Sequence, residues 1–141
     1  MGILKDIKDS IMGEQADVTL NLVNDVVDED GQLEASLTIK AKDKTIISES
    51  VYVIVKAFEE SAITKTIYEE KVELEKTVQL NANDEKTWPV TIQIPESAPS
   101  TYFGKHSKLD WKLTGGIEMP VVNPQAEARF VVDRVNVFPT E

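Results

Sequence analysis

The chain has 141 residues, with 25 acidic and 15 basic side chains, one histidine and no cysteine, and a formal net charge of −10. That inventory builds no thiol nucleophile, thiolate zinc site, iron–sulfur cluster or multi-histidine metal centre, so no metal and no cofactor is expected. An acidic surface repels phosphate backbones, so no nucleic-acid partner is expected either. A chain of this length buries roughly 68% of its unfolded surface, enough for one domain that needs no covalent staple.

In chain order, the first element is a short stripe. Ile3, Leu4, Ile7 and Ile11, with Met12, recur at helical spacings and Gly13 follows as a stop, which predicts an amphipathic helix over residues 1–14. Charges interrupt this segment every two or three positions, so it lacks the apolar run of a secretory signal, and no stretch reaches the roughly 18 to 20 apolar residues of a membrane span. A cytoplasmic location is the default expectation. A helix of about ten residues is marginal alone in water, so its stripe needs a surface: its own domain, a partner or a membrane interface. Asp6 and Asp9 cancel Lys5 and Lys8 and remove the attraction to anionic lipid.

From about Asp17 the period drops to two. Val18, Leu20 and Leu22 alternate with Thr19 and Asn21; Leu33, Ala35, Leu37 and Ile39 alternate with Glu34, Ser36, Thr38 and Lys40. The same alternation runs through Trp88, Val90, Ile92 and Ile94, through Leu109, Trp111 and Leu113, and through Ala126, Ala128, Phe130 and Val132. These read as strands with one dry and one wet face. Val51 to Phe58 is apolar on both phases except at Lys56, as in a strand covered on both sides or one whose outer face meets another element, and Val72-Leu74 with Val78-Leu80 add a weaker strand or pair. Asp28-Glu29-Asp30-Gly31, Lys42-Asp43-Lys44, Asn81-Ala82-Asn83-Asp84 and Thr114-Gly115-Gly116 read as the turns between them. Seven or eight short strands so punctuated describe an all-β, immunoglobulin-like antiparallel sandwich over residues 15–136, with a tail at 137–141.

One stretch is more specific. Trp88-Pro89 opens a strand that ends at Ile94-Pro95; Pro99 and Gly104 follow, and then the alternating Leu109-Asp110-Trp111-Lys112-Leu113. In this order the chain resembles the arrestin N-terminal domain, and with its amphipathic N-terminal segment and acidic character it is most similar to the bacterial sporulation-control family, which is arrestin-like. The resemblance spans about Asp17 to Val132 and implies an arrestin-like sandwich with a regulatory, non-enzymatic role. Arrestins have two such domains and this chain has room for one, so their interdomain polar core does not carry over.

Constellations that could carry chemistry fail on spacing. Asp28-Glu29-Asp30-Gly31 looks like part of a calcium loop, but with Gly31 at loop position six the first and last positions are Val26 and Leu37, which offer no side-chain oxygen. His106, Ser107 and Asp110 suggest a triad, yet neighbours on a strand point to opposite faces, and no Gly-x-Ser-x-Gly elbow occurs. The paired acids Glu59-Glu60, Glu69-Glu70 and Asp84-Glu85 read as solvated turns and edges. Gly115-Gly116 lacks the Lys-Ser/Thr of a phosphate loop and reads as a tight hairpin; Arg129 and Arg134 are too few for a nucleic-acid face; Trp88 and Trp111 lie on the apolar phase and read as core.

No catalytic residue is assigned. The favoured expectation is a protein-binding scaffold module that takes a partner strand at a sheet edge, with self-association through an edge strand, the two-phase apolar Val51 to Phe58, as a further expectation. The alternative is a membrane-peripheral scaffold held by Ile3, Leu4, Ile7 and Ile11, which are the candidate partner- or membrane-binding residues. A third reading, a carboxylate-dependent hydrolase, would require two acids converging in one cleft.

Overall fold

A computed structural model describes residues 15–133. The expected N-terminal helix with Ile3, Leu4, Ile7 and Ile11, and the tail at 137–141, lie outside the described residues.

The strands are β1 (Ala16–Leu22), β2 (Val26–Val27), β3 (Gln32–Ala41), β4 (Ile46–Glu60), β5 (Thr64–Leu80), β6 (Glu85–Gln93), β7 (Tyr102–Phe103), β8 (Lys108–Ile117) and β9 (Gln125–Val132). They form a three-stranded sheet, β1-β3-β6, and a six-stranded sheet, β2-β9-β8-β4-β5 with β7 also on β8. Among the described residues nine strands replace the expected seven or eight, because β2 and β7 are two-residue pieces too short to leave a periodic signature. One pairing departs from the antiparallel expectation: Val26 and Val27 run parallel to Val131 and Val132.

Alternation places the core between the sheets. Leu33, Ala35, Leu37 and Ile39 on β3 and Trp88, Val90 and Ile92 on β6 are buried, and register sets Leu37 beside Trp88 and Leu33 beside Ile92. Opposite them, β4 contributes Val51, Val53, Val55 and Ala57, β8 contributes Trp111, Leu113 and Ile117, and β9 contributes Phe130 and Val132. Trp111 sits between Tyr68 and Phe130, ring centroids 5.6 and 5.8 Å away, and its indole N–H donates to the Pro99 carbonyl at 3.0 Å. Both tryptophans are therefore core residues, as their phase predicts.

The β4–β5 hairpin is longer than the sequence pattern suggests, with 15 and 17 residues. Its register shifts between Val51 and Tyr52 and between Ala57 and Phe58, which leaves Leu74 and Ile67 of β5 as extra residues. Thr77 has a φ of 53°, left-handed for a β-branched residue. Near it the buried phase changes: Ile46, Ser48 and Ser50 face in on one parity, and Val51, Val53 and Val55 on the other. Val72-Leu74 and Val78-Leu80, which read as two weak fragments, are one strand: both keep the same even parity, and the exposed Lys76 interrupts the apolar pattern between them. Val51 to Phe58 lies between β5 and β8, so it is a central strand and offers no edge for self-association.

Gly115-Gly116 is a correction. The doublet lies inside β8, paired with both β4 and β9, and does not form a hairpin. A Cβ on Gly115 would stand 2.6 Å from Leu37 Cδ1 of the facing sheet; one on Gly116 would stand 2.8 Å from the Pro124 carbonyl oxygen and 2.9 Å from the Tyr52 hydroxyl. Both glycines are there for close approach. The reversal from β8 to β9 is made by the following segment, where Met119 N–H donates to Asn123 Oδ1 at 2.8 Å.

Candidate functional site

A sandwich exposes function at its edges, its loops and its outer faces, and each edge here has a definite chemical state. On β6, Asp84 and Ile94 bond toward β3, through Ala41 N–H to Asp84 O at 2.8 Å and Ile94 N–H to Gly31 O at 2.7 Å. By alternation the odd residues turn outward, so Pro89 removes a donor from the middle of that edge. On β5 the edge is broken by two bulges and by Thr77, and Glu75 is tied across to β6: its Oε1 accepts from Trp88 Nε1 at 2.7 Å and from Lys86 Nζ at 2.9 Å. The Lys86 and Trp88 donors hold the Glu75 carboxyl below its ordinary 4.5. The β2 edge is two residues long.

The β1 edge has none of these protections. Its register with β3 runs unbroken from Ala16 to Leu22, with no proline and no bulge. Lys42 N–H donates to Gln15 O at 3.1 Å and Val23 N–H to Glu34 O at 2.7 Å, which marks the odd residues as the ones bonded to β3. Val18, Leu20 and Leu22 therefore present their N–H and C=O groups outward. Their side chains are half-buried and pack on the core, whereas Thr19 and Asn21 are exposed on the outer face. Asp17, at the start of the strand, is paired with Lys42 at 3.5 Å.

The other positions read from the sequence are dispersed. Asp28 to Gly31 is a tight turn held against β6: Gly31 has a φ of 75°, Gly31 N–H donates to Asp28 O, the Asp28 and Asp30 carboxylates accept from the N–H groups two residues on, and the Asp30 carbonyl accepts from Gln93 Nε2 at 2.8 Å. His106 is exposed in the β7–β8 turn; Asp110 is engaged by Arg129, and Ser107 lies 3.3 Å from the Tyr102 hydroxyl. Glu59 accepts from Tyr102 at 2.6 Å, Glu60 pairs with Lys108 at 3.3 Å and Glu70 accepts from Tyr68 at 2.9 Å. Burial, then the Glu70 carboxylate, pushes the Tyr68 phenol above its ordinary 10. Among the described residues no group of three or more His, Cys, Asp or Glu side chains is placed to hold a metal ion.

The outer face of the six-stranded sheet, on which sequence reasoning was silent, is roofed by long cations. Lys71 lies 4.5 Å over the Tyr52 ring, and Lys112 and Arg129 lie 5.7 and 5.2 Å from Phe58. The Tyr52 hydroxyl accepts from Asn123 and Gln125 at 3.2 and 2.8 Å. These contacts explain how Tyr52 and Phe58, on the outward phase of β4, are still buried.

With this geometry, the solved structures are informative. The sporulation control protein Spo0M from Bacillus subtilis superposes with a TM-score of 0.68 at 13% identity, covering 84% of this chain and 49% of that one. The chain has an arrestin-like fold. It spans about half the length of Spo0M. The alkylpurine DNA glycosylase AlkC from Pseudomonas fluorescens, solved bound to DNA with an abasic-site analog, superposes with a TM-score of 0.52 at 12% identity over 84% of this chain and 30% of its own. No protein-family model and no curated protein matches the sequence. No helix of the described residues is long and apolar enough to cross a membrane.

Proposed function

We propose that the chain is a non-enzymatic, arrestin-like protein-binding module in a regulatory pathway of the sporulation-control kind, and that it takes an extended segment of its partner along β1. The observation that carries this reading is the outward backbone of Val18, Leu20 and Leu22 on an edge with no proline, bulge or tie, where the β5 and β6 edges each have one or more. Strand addition draws affinity from such a backbone row and selectivity from alternate side chains. The likeness to Spo0M supports the regulatory setting.

Leu20→Pro tests it. Proline at an edge position removes the outward donor and no bond to β3, so the fold survives. Affinity capture with the intact chain should return a reproducible protein partner that the Leu20→Pro chain, with its thermal unfolding retained, fails to hold. A partner held equally by both chains would refute the assignment.

A further inference from the structure

The β1 edge also dictates what kind of strand fits it. An incoming antiparallel strand must place apolar side chains beside Val18, Leu20 and Leu22 on the core face and tolerate Thr19 and Asn21 on the other. We propose that a second copy of this chain is that strand, with β1 pairing antiparallel to β1 of its partner about a two-fold axis at Leu20. The inference rests on the reading of β1 as the recognition edge and adds an occupant to it.

The segment Val18-Thr19-Leu20-Asn21-Leu22 is its own complement. In the two-fold register, Leu20 faces Leu20, Val18 faces Leu22, and Thr19 faces Asn21 of the other copy. All facing pairs on the core side are even with even, and the even residues carry the outward N–H and C=O groups, so the backbones exchange two bonds at each of these pairs. A register shifted by one residue would bring outward groups against groups already bonded to β3. The result is one continuous sheet of order β6-β3-β1-β1-β3-β6, with the half-buried Val18, Leu20 and Leu22 of each copy covered by the other.

Charge favours this edge over that of β5 for a chain of net charge −10. Thr19 and Asn21 are uncharged, and their neighbours on β3, Thr38 and Ser36, are uncharged too. Asp17, the one acid on the strand, is paired with Lys42 and lies at the end of the junction. The edge of β5, by contrast, carries Glu69, Glu70, Glu73 and Glu75 with Lys65, Lys71 and Lys76, and two copies meeting there would set charged groups against one another where β1 offers an uncharged row. Self-pairing through the two-fold is isologous and closes as a dimer.

Sedimentation equilibrium of the full 141-residue chain, from micromolar to millimolar concentration, tests the proposal with three variants. The parent should show a monomer–dimer equilibrium, and Leu20→Pro should be monomeric throughout. Thr19→Lys with Asn21→Lys sets lysine against lysine at both cross-strand pairs and should weaken the dimer about tenfold, although it lowers the overall repulsion between copies. Thr19→Lys with Asn21→Glu sets lysine against glutamate and should restore parental association. These exposed changes leave the core untouched, so the charge pair decides the matter even where Leu20→Pro fails to fold. A chain that stays monomeric, or a dimer indifferent to the charge variants, overturns the self-pairing. A monomeric chain that still captures a partner through Leu20 overturns the self-pairing alone, whereas a dimer that answers to the charge variants and captures nothing upholds it while the partner reading falls.

Discussion

Gly115→Ala places one methyl between the two sheets, where its effect depends on a single residue of the facing sheet. The new Cβ would lie 2.6 Å from Leu37 Cδ1 and 3.3 and 3.4 Å from Leu37 Cδ2 and Cγ, inside ordinary contact. Leu37 is fully buried beside Trp88 and cannot move away freely. Overpacking of this kind costs about 1–3 kcal/mol, and the gain of about 0.5–1 kcal/mol from replacing a strand glycine by alanine offsets part of it. A net loss of about 1–2 kcal/mol is expected. Leu37→Val alone should cost about 1 kcal/mol, because it removes the δ carbons and leaves a small void. In that background the same Gly115→Ala meets no δ carbon and should be neutral or stabilising by up to about 1 kcal/mol, a coupling of about 2 kcal/mol between residues of different sheets. Urea unfolding of the four chains, followed by tryptophan fluorescence, measures the cycle. A Gly115→Ala effect equal within about 0.5 kcal/mol in both backgrounds would refute the packing of β8 on β3.

Two further outcomes follow from the β5 edge. Thr77→Asn should stabilise the fold by about 0.5–1 kcal/mol, because asparagine occupies left-handed backbone that a β-branched residue resists; chemical unfolding checks this, and a loss of stability would contradict the geometry at φ 53°. Because Lys86 and Trp88 lower the Glu75 carboxyl in the folded state, its contribution is fully present above its unfolded value of 4.5 and is lost as pH falls through the lower folded value. Glu75→Gln should therefore flatten the fall in stability on the acid side, measured as the urea midpoint between pH 3 and 7; an unchanged slope would remove the tie between β5 and β6 from the account.

Much of the fold is legible in the sequence because a half-buried strand writes its face as alternation, and β1, β3, β6, β8 and β9 all do so. What period alone cannot encode is partnership. Gly115-Gly116 reads as a turn until Leu37 and Tyr52 are seen pressing on it from either face. Exposed Lys76 stands at the inward parity between Leu74 and Val78, so one strand of 17 residues reads as two fragments. Tyr52 and Phe58 look like core facing a second layer, when the cover is Lys71, Lys112 and Arg129 reaching over from neighbouring strands. The candidate site lies in a legible alternation, but its importance depends on which strands end up at sheet edges and which of those edges are blunted, and neither follows from β1 itself.

Residue-resolved amide exchange of the β1 backbone is the most direct test of that edge. In dilute chain, the N–H groups of Asp17, Thr19 and Asn21, bonded to β3, should exchange slowly, and those of Val18, Leu20 and Leu22 fast. When the edge is occupied, by a partner or at high concentration by a second copy, the even set should slow while the odd set stays as it was. Even-numbered amides already protected in the isolated chain, or unmoved when association is complete, would contradict β1 as the recognition edge.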